Sequence, residues 1–252
     1  MPRPRRLSYA NWPEGVDRKV YASLDSTNSE AGRIAPDLAR PTWILAQTQT
    51  DARGRRGRTW VSPEGNFAAS LVMRGQGPME HWALRSFVAA LALAEALDGL
   101  TGRPELLALK WPNDVLLQGG KLAGILLETS GVHLTIGIGV NLVAAPSVAE
   151  VEKHAVPPIS LLGATGLRVT PEDLLTPLAA RFAHHEAALV TYGFAPIRTA
   201  WLARAAKLGQ PIRAQIGNTT EHGVFRDVDA SGNLVLETTN GPRAIPAAEV
   251  HF

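Results

Sequence analysis

The 252-residue sequence contains no cysteine, and neither sign of charge dominates it. The absence of cysteine excludes disulfides, thiolate nucleophiles, cysteine-based zinc sites and iron–sulfur clusters. The 25 lysine and arginine residues against 23 aspartate and glutamate residues leave a formal charge of +2. This charge is too small to indicate a polyanionic partner from bulk electrostatics. Any contact with a nucleotide or a nucleic acid must therefore depend on a local group of basic residues.

The sequence also lacks a long apolar run. The longest, Phe87 to Leu97, is interrupted by Glu95 and is shorter than the ~20 residues that a membrane-spanning helix needs. The basic segment Met1 to Arg6 is followed by polar residues where a signal peptide needs an apolar core. We therefore expect a cytoplasmic protein without a membrane partner.

The order of patterns along the chain predicts an α+β fold with two domains. Residues 1–19, which contain three prolines and several charges, are predicted to form a flexible N-terminal arm. Residues 20–206 are predicted to form a domain with helices packed on a mixed or antiparallel sheet. Residues 207–252 contain short strand-like runs broken by Gly, Asn and Asp turns, and they predict a small β-barrel.

Individual elements follow from hydrophobic periodicity and turn residues. Strands are predicted at 20–24, 43–47, 67–73, 106–110, 115–117, 121–128 and 134–142, the last four as an antiparallel meander. Helices are predicted after a capping box at Thr27–Glu30, from 84 to a stop at Gly99, from a Thr170 cap to Tyr192, and at 195–206. The barrel strands are predicted at 212–216, 223–228, 233–237 and 244–246.

A basic loop follows the second predicted strand. It contains Gln49-Thr-Asp-Ala-Arg-Gly-Arg-Arg-Gly-Arg-Thr-Trp60, in which four arginines alternate with glycines. Arginine forks match phosphate oxygens, and Trp60 offers an aromatic face to a purine. The pattern therefore favours a nucleotide, although a solvated basic loop or an RNA-contacting patch would have the same composition.

Two charged residues follow in the meander. Asp114 ends the run Lys110-Trp-Pro-Asn-Asp, and Lys121 begins a strand directly after a tight turn. A fixed ammonium group can neutralise charge that develops on a carboxylate and a phosphate, and an aspartate can orient or deprotonate an amine. Either residue alone would be equally typical of an ordinary hairpin surface.

Two further patterns involve small and polar residues. In Thr135-Ile-Gly-Ile-Gly-Val-Asn141 the glycines weaken a strand, which predicts that one face forms a slot for a flat ligand, with Asn141 presenting its amide to a base. Tight packing against a helix would also explain the glycines. Ser26-Thr-Asn28 at a strand-to-helix turn could bind a small polar group or merely cap the helix.

The order of these five motifs resembles that of the biotin-protein ligases, over residues 20–142 by motif and over the remainder by layout. The resemblance implies a catalytic domain like that of the class II aminoacyl-tRNA synthetases and an SH3-like C-terminal barrel. It implies that biotin and ATP, with Mg²⁺, form biotinyl-5′-AMP, and that biotin is then transferred to a lysine of a biotin carboxyl carrier protein. It allows a homodimer. The short N-terminal segment indicates the monofunctional kind, which does not bind DNA.

The resemblance also assigns residues. The catalytic residues would be Lys121, Arg55 and Asp114. Biotin would be bound by Ser26, Thr27, Asn28, Gln49, Arg53, Gly54, Arg55, Lys121, Gly124, Gly137 and Gly139. The nucleotide would be bound by Arg53, Arg58, Trp60, Lys121 and Asn141. No protein side chain is expected to ligate a metal.

The arginine loop departs from the family at one position. The family's loop usually begins Gly-Arg-Gly-Arg, whereas this chain has Ala52 in place of the first glycine. Because alanine resists positive φ, we expect a different loop geometry and weaker biotin binding or adenylate retention. The segment Arg53 to Arg58 is also expected to be mobile without ligand and to close over the adenylate.

Three other functions remain open at the level of sequence. A lipoate or octanoate ligase of the same superfamily would also modify a carrier lysine. A nucleic-acid-binding protein would use the arginine loop, and its binding would be sensitive to salt. An inactive biotin sensor would not need Lys121 and Asp114. His184 and His185 lack a third ligand nearby and are expected to be helix-surface residues.

Overall fold

A seven-stranded mixed sheet forms the larger part of the computed structural model, which describes residues 11–147, 156–246 and 248–251. Its strand order is β1-β2-β3-β7-β6-β5-β4. β1 and β2 are parallel, and all other neighbours are antiparallel. The strands are β1 (Asp17–Leu24), β2 (Thr42–Gln49), β3 (Phe67–Arg74), β4 (Leu107–Lys110), β5 (Asp114–Leu117), β6 (Gly120–Ser130) and β7 (His133–Val140). The predicted α+β class and the β4–β7 meander are confirmed.

Helices cover both faces of the sheet. They are α1 (Thr27–Ile34), α2 (Arg85–Thr101), α3 (Leu161–Thr165), α4 (Pro171–Tyr192) and α5 (Phe194–Leu202). Because side chains alternate along a strand, β2 serves both faces. Ile44 packs against α1, whereas Trp43 meets Phe182 of α4 edge to face at 6.1 Å. In the described residues, no helix is long and apolar enough to cross a membrane.

The C-terminal sheet has five strands in the order β11-β10-β9-β8-β12. They are β8 (Pro211–Ile216), β9 (Thr219–Val228), β10 (Leu234–Thr238), β11 (Gly241–Ile245) and β12 (Glu249–His251). The predicted small barrel domain is confirmed, with β12 as an additional strand. Its turn at Gly232 lies against the larger domain, where the Gly232 carbonyl accepts a hydrogen bond from Trp111 Nε1 at 3.0 Å.

The ends of several helices differ from the predictions. Ser26, not Thr27, is the N-cap of α1, and no side chain caps this helix. α2 runs past Gly99 and ends at Thr101, and Gly102 after it adopts the left-handed conformation of a C-cap. α5 ends at Leu202 rather than at 206, because the chain then pairs with β4 through the Leu109 backbone. The capping box of α4 at Thr170 and Asp173 is present as predicted.

The N-terminal part of the described chain is more ordered than the predicted flexible arm. β1 begins at Asp17, three residues before the predicted strand and inside the predicted arm. Ahead of it, Trp12 Nε1 donates to the Val16 carbonyl at 2.6 Å. Residues 1–10, including Arg3, Arg5 and Arg6 of the arm, lie outside the described residues.

Candidate functional site

A cavity of about 440 Å³ opens on the face of the sheet that carries α1. All the predicted site residues line it, although they come from five separate stretches of the chain. They are Ser26, Thr27, Asn28, Gln49, Arg53, Gly54, Arg55, Arg58, Trp60, Asp114, Lys121, Gly124, Gly137, Gly139 and Asn141. The structure thus brings together every residue that the motifs singled out.

Two rows of residues run across β3, β7 and β6 at the base of the cavity, and their β7 and β6 members line it. One row is Ser70, Gly137 and Leu126, and the other is Ala68, Gly139 and Gly124. A Cβ atom at Gly137 would overlap the Asn28 side chain, and one at Gly139 would lie 2.5 Å from Trp60 Nε1. The glycines therefore make room for two protein side chains. This corrects the expected open slot, because Asn28 and the Trp60 ring already occupy that space.

The strand-to-helix turn forms a hydrogen-bonded network. Gln49 Oε1 accepts from the Thr27 amide at 2.7 Å and from the Thr27 hydroxyl at 3.1 Å. Ser70 Oγ lies 2.7 Å from Thr27 Oγ1 and 2.5 Å from Asn28 Oδ1. Because Thr27 is tied to Gln49 in this way, the predicted capping box does not form. Gln49 lines the cavity, and its Nε2 group remains as a hydrogen-bond donor.

Asp114 lies between two ammonium groups. Its carboxylate is 2.8 Å from Lys121 Nζ and 3.5 Å from Lys110 Nζ. Burial acts to raise the pKa of Asp114, but Lys121 and Lys110 outweigh it, so the pKa lies below its ordinary value. Burial lowers the pKa of Lys110, with Asp114 acting in the opposite direction. Asp114 is therefore an ionised carboxylate that faces a cavity.

Lys121 is held by its backbone as well as its charge. Its amide donates to the Pro157 carbonyl at 2.8 Å, and its carbonyl accepts from the Ile159 amide at 3.0 Å. The ammonium group lies 5.8 Å from the centroid of the Trp60 ring. Lys121 thus lies between the carboxylate of Asp114 and the aromatic ring, as expected for a positioned cation.

The arginine loop forms a short hairpin. The Gly54 amide donates to the Arg58 carbonyl at 2.7 Å, and the Trp60 amide donates to the Ala52 carbonyl at 2.9 Å. Arg56 adopts a φ of 59°, whereas Ala52 does not have positive φ and is buried. In this conformation alanine at position 52 is not strained.

Each arginine of the loop has a polar partner. Arg53 bonds Glu128 and the Ser29 hydroxyl, and Arg55 Nη1 donates to Asn113 Oδ1 at 3.1 Å. Burial lowers the pKa of Arg55, while the charge of Asp114 acts in the opposite direction.

Two of the loop arginines contact the small domain. Arg58 forms two bonds of 2.9 and 2.7 Å with the carboxylate of Glu249 on β12, and Arg56 adds a third at 3.2 Å. The small domain therefore contributes an anionic group to the mouth of the site. Because Glu249 lines the cavity, this contact lies where the loop borders the ligand space.

Asn141 directly follows β7 and lines the cavity. Its Nδ2 donates to the Ile159 carbonyl at 3.2 Å. Its Oδ1 is buried and has no hydrogen-bond partner among the described residues. A buried acceptor without a partner is unfavourable unless a ligand completes it. The adjacent Trp60 ring and this free acceptor together match an amino-substituted aromatic ring.

Several residues of the site were not assigned a role from the motifs. Ser70 lies in an apolar strand, and Glu249 lies in another domain. Lys110, Asn113 and Glu128 stand within or beside the recognised motifs, so their proximity in sequence was a signal of participation. His185 does not line the cavity; contrary to the expected helix-surface position it is buried, and it bonds Glu95 of α2 at 3.0 Å. His184 is exposed, as expected.

Comparisons with known proteins agree over both domains. A model of the biotin/lipoate A/B protein ligase family matches residues 20–141, and one of the biotin protein ligase C terminal domain matches residues 207–252. A biotin–[acetyl-CoA-carboxylase] ligase of Paracoccus denitrificans is 55% identical over 92% of this chain and 99% of its own length. A bifunctional ligase/repressor of Bacillus subtilis is 31% identical over 99% of this chain and 80% of its own length.

Solved structures share the architecture. The biotin protein ligase from Aquifex aeolicus in complex with biotin and ATP has a TM-score of 0.80 at 26% identity, and the match covers 93% of this chain and 97% of that one. The biotin protein ligase from Leishmania major with biotinyl-5-AMP has a TM-score of 0.66 at 21% identity, and the match covers 93% of this chain and 100% of that one. The second likeness concerns the fold alone.

Proposed function

Because this chain belongs to the biotin/lipoate A/B protein ligase family, we propose that it is a biotin–[acetyl-CoA-carboxylase] ligase. It activates biotin with ATP and transfers the biotinyl group to a lysine of a carboxylase carrier domain. The observation that carries this proposal is the convergence of hydrogen-bonding residues, arginines, Lys121 and a free Asn141 acceptor on one cavity. A cavity with these groups can bind an apolar ring with a polar head beside a nucleotide.

The turn at Ser26–Asn28 is proposed to bind the ureido ring of biotin. The oxygen of Gln49 is occupied by Thr27, so its Nε2 group is free to donate to the ring carbonyl. Asn28 and Ser26 would complete the ring contacts. Gly124, Gly137 and Gly139 then act indirectly, because they leave room for the side chains that touch the ligand.

Activation joins the biotin carboxylate to the α-phosphate of ATP, and pyrophosphate leaves. Lys121 would release Asp114 and neutralise the negative charge on the carboxylate and phosphate oxygens. Arg53, Gly54 and Arg55 would surround the same oxygens, with Arg58 beside them. This chemistry depends on position and charge, and it requires no covalent enzyme intermediate.

In the transfer step, a deprotonated lysine amine must attack the acyl carbon of biotinyl-AMP. The ionised Asp114 can accept a hydrogen bond or a proton from the incoming carrier lysine, because it lines the cavity. The lysine nitrogen then bonds the biotinyl carbon, and AMP leaves with the former carboxylate oxygen. Asp114 is therefore proposed to act in the second step and Lys121 mainly in the first.

The adenine is proposed to stack on Trp60 and to donate its amino group to Asn141 Oδ1. Mg²⁺ would arrive with the phosphates of ATP. The two carboxylates that line the cavity would not be needed as ligands of the ion, because Asp114 lies against an ammonium group and Glu249 against guanidinium groups. When bound, the ion would neutralise phosphate charge during activation.

Lipoate or octanoate transfer is the second candidate, since the matched family includes lipoate ligases. The 55% identity with a biotin ligase favours biotin. Nucleic-acid binding by the arginine loop has less support, because Glu128, Asn113 and Glu249 already engage its guanidinium groups. We retain the monofunctional enzyme without DNA binding, the cytoplasmic location and the homodimer as predictions.

The test is transfer of biotin to a purified carrier domain with ATP and Mg²⁺, using wild-type protein, Lys121→Ala and the exposed control Lys19→Ala. We expect Lys121→Ala to lower the rate of biotin transfer by on the order of 10²-fold or more, because adenylate formation is slowed, and Lys19→Ala to match wild type. Octanoate transfer without biotin transfer would replace this proposal with the lipoate-type activity. No transfer of either acid by folded protein would contradict both.

A further inference from the structure

Glu128 lies on β6 between the turn that precedes α1 and the arginine loop, and the proposed mechanism gives it no role. Its Oε2 atom accepts from Asn28 Nδ2 at 2.7 Å. The same carboxylate accepts from Arg53 Nε and Arg53 Nη2, both at 3.1 Å. Arg53 Nη1 reaches the Ser29 hydroxyl at 2.7 Å. One carboxylate thus joins a ring-binding residue to the first arginine of the loop.

The hydrogen-bond donors and acceptors around Asn28 show how Glu128 fixes the orientation of its amide group. An ionised carboxylate can only accept, so Asn28 must direct its NH₂ group at Glu128 and its oxygen at Ser70. The Ser70 hydroxyl has one proton, which it can give either to Asn28 or to Thr27. Without the carboxylate, the amide of Asn28 could rotate and exchange its donor and acceptor. Glu128 therefore sets which atoms of Asn28 face the cavity.

The same contact fixes the position of Arg53. Gly54 and the rest of the hairpin follow Arg53 directly, and the Arg53 backbone pairs with Thr59 across the hairpin. A guanidinium group held on both sides, by Glu128 and Ser29, restrains the start of the loop. Both members of the Arg53–Glu128 pair are 36% exposed, and such a pair adds little to global stability. Its effect should appear in ligand binding instead.

We propose that Glu128 is a positioning residue for biotin, which orients the Asn28 amide and holds Arg53 so that the ring-binding turn and the arginine loop are aligned before the ligand enters. This inference rests on the proposed function. Glu128 does not line the cavity, so it acts through Asn28 and Arg53 rather than by contact with the substrate.

The experiment measures biotin affinity by calorimetry, together with KM for ATP and kcat of biotinyl-AMP formation. For Glu128→Ala we expect the biotin Kd to rise about tenfold, because two oriented groups are released. kcat at saturating biotin should stay within about twofold, and KM for ATP should rise less than the biotin Kd, because only Arg53 of the two released residues also faces the phosphate oxygens. Glu128→Gln keeps an acceptor for Asn28 and should recover part of the affinity.

A double-mutant cycle separates positioning from a general structural effect. If Glu128 acts through Arg53, Glu128→Ala should weaken biotin binding much less in an Arg53→Ala background than in wild type. Glu221→Ala is the matched control, because Glu221 forms an Arg–Glu pair with Arg243 on the small domain, away from the cavity. All variants are compared by their thermal unfolding midpoints.

The proposal is overturned by an unchanged biotin Kd in Glu128→Ala, by full additivity with Arg53→Ala, or by equal losses for biotin and ATP. Wild-type protein that formed no biotinyl-AMP would contradict the proposed function instead. In that case hydrogen exchange can still test the role of Glu128 in holding the loop. Faster exchange at the Gly54 and Trp60 amides of ligand-free Glu128→Ala supports the alignment of the loop, and unchanged exchange overturns it.

Discussion

At the scale of single residues, Asp114 is the most strongly coupled charge in the cavity. It is buried, as is Lys110, and it holds both Lys110 and Lys121. Removing one member of a buried ionic group leaves the others without compensation. We expect Asp114→Asn to lower the free energy of unfolding by about 2–4 kcal/mol and to abolish transfer to the carrier. Denaturant titration and a transfer assay would measure the two effects.

The stability of the protein at different pH values tests whether Asp114 is ionised in the folded state. A carboxyl group whose pKa is lowered by folding stabilises the protein fully at pH values above its ordinary pKa, which is 3.8 for Asp114. That contribution is lost as the pH falls through the lowered pKa. The difference in stability between wild type and Asp114→Asn should therefore be constant near neutral pH and shrink below about pH 4. A difference that grew on acidification would contradict the assignment of charge.

Ala52 allows a prediction opposite to the one that its sequence context suggested. Because Ala52 does not have positive φ and its carbonyl bonds the Trp60 amide, glycine there would relieve no strain. Ala52→Gly should instead increase the freedom of the open loop, at about 0.5–1 kcal/mol. We expect faster hydrogen exchange at the Trp60 amide and weaker biotin binding. Tighter binding in this variant would show that the liganded loop needs glycine.

The sequence predicted individual residues better than their partners. Lys121, Asp114 and Asn141 could be identified because their types and spacing suit the chemistry. The roles of Glu128 and Glu249 were harder to predict. Glu128 contacts Arg53, which is 75 positions away in the sequence, and Glu249 contacts Arg58, which is 191 positions away. Such pairs are set by the strand register and the domain contact. Neither leaves a local pattern in the sequence.

At the scale of elements, β7 offers two matched substitutions on one strand. Gly137 lies beneath Asn28 and Gly139 beneath the Trp60 ring. Gly137→Ala should displace Asn28 and raise KM for biotin, whereas Gly139→Ala should displace Trp60 and raise KM for ATP. Each change should be at least about tenfold, and each KM for the other substrate should change much less. Neither glycine requires positive φ, so the effect would be steric.

These two variants control for each other, because both add one methyl group to the same strand. Unfolding midpoints would show that the strand survives. If both variants raised the two KM values equally, the ring and nucleotide would not occupy separate halves of the cavity base. The same outcome would favour the alternative explanation of the glycines, namely general packing.

Elements were predictable where periodicity was long and local. α4 and its cap follow from Thr170 and Asp173, and the meander follows from alternating turns. Elements that depend on distant partners were missed. β12 has three residues and forms by pairing with β8, and α5 stops where the chain pairs with β4. At α1, the Thr27 hydroxyl serves Gln49 rather than the helix end, so the capping box is absent.

At the scale of the whole molecule, hydrogen bonds join the small domain to the larger one at three places among the described residues. The first is the turn at Gly232, close to Phe87 and bonded to Trp111. The second is Arg198 of α5, which bonds Asp227 and the Val228 carbonyl of β9. The third is the contact of Glu249 with Arg56 and Arg58, and of the three only this one lies at the cavity. The barrel therefore restrains the arginine loop from outside the catalytic domain, which the sequence of either domain alone could not indicate.

This arrangement predicts that Glu249→Gln loosens the loop while leaving both domains folded. The hydrogen bond from Arg58 lowers the pKa of Glu249 below its ordinary value of 4.5, although burial acts in the opposite direction. The carboxylate thus restrains the loop above that value and releases it as the pH falls through the lowered pKa. Near about pH 7 the Gly54 and Trp60 amides of Glu249→Gln should be less protected than those of wild type.

Protection factors measured across a range of pH test this directly. Below about pH 4 wild type should approach Glu249→Gln, because protonation removes the same charge that the substitution removes. High salt near neutral pH should reduce the difference in part, since these groups are partly exposed. Glu221→Gln, which alters an Arg–Glu pair within the small domain, should leave the loop unchanged. Equal protection in wild type and Glu249→Gln at neutral pH would mean that the loop is ordered by its own hairpin and that the barrel contact follows from that order.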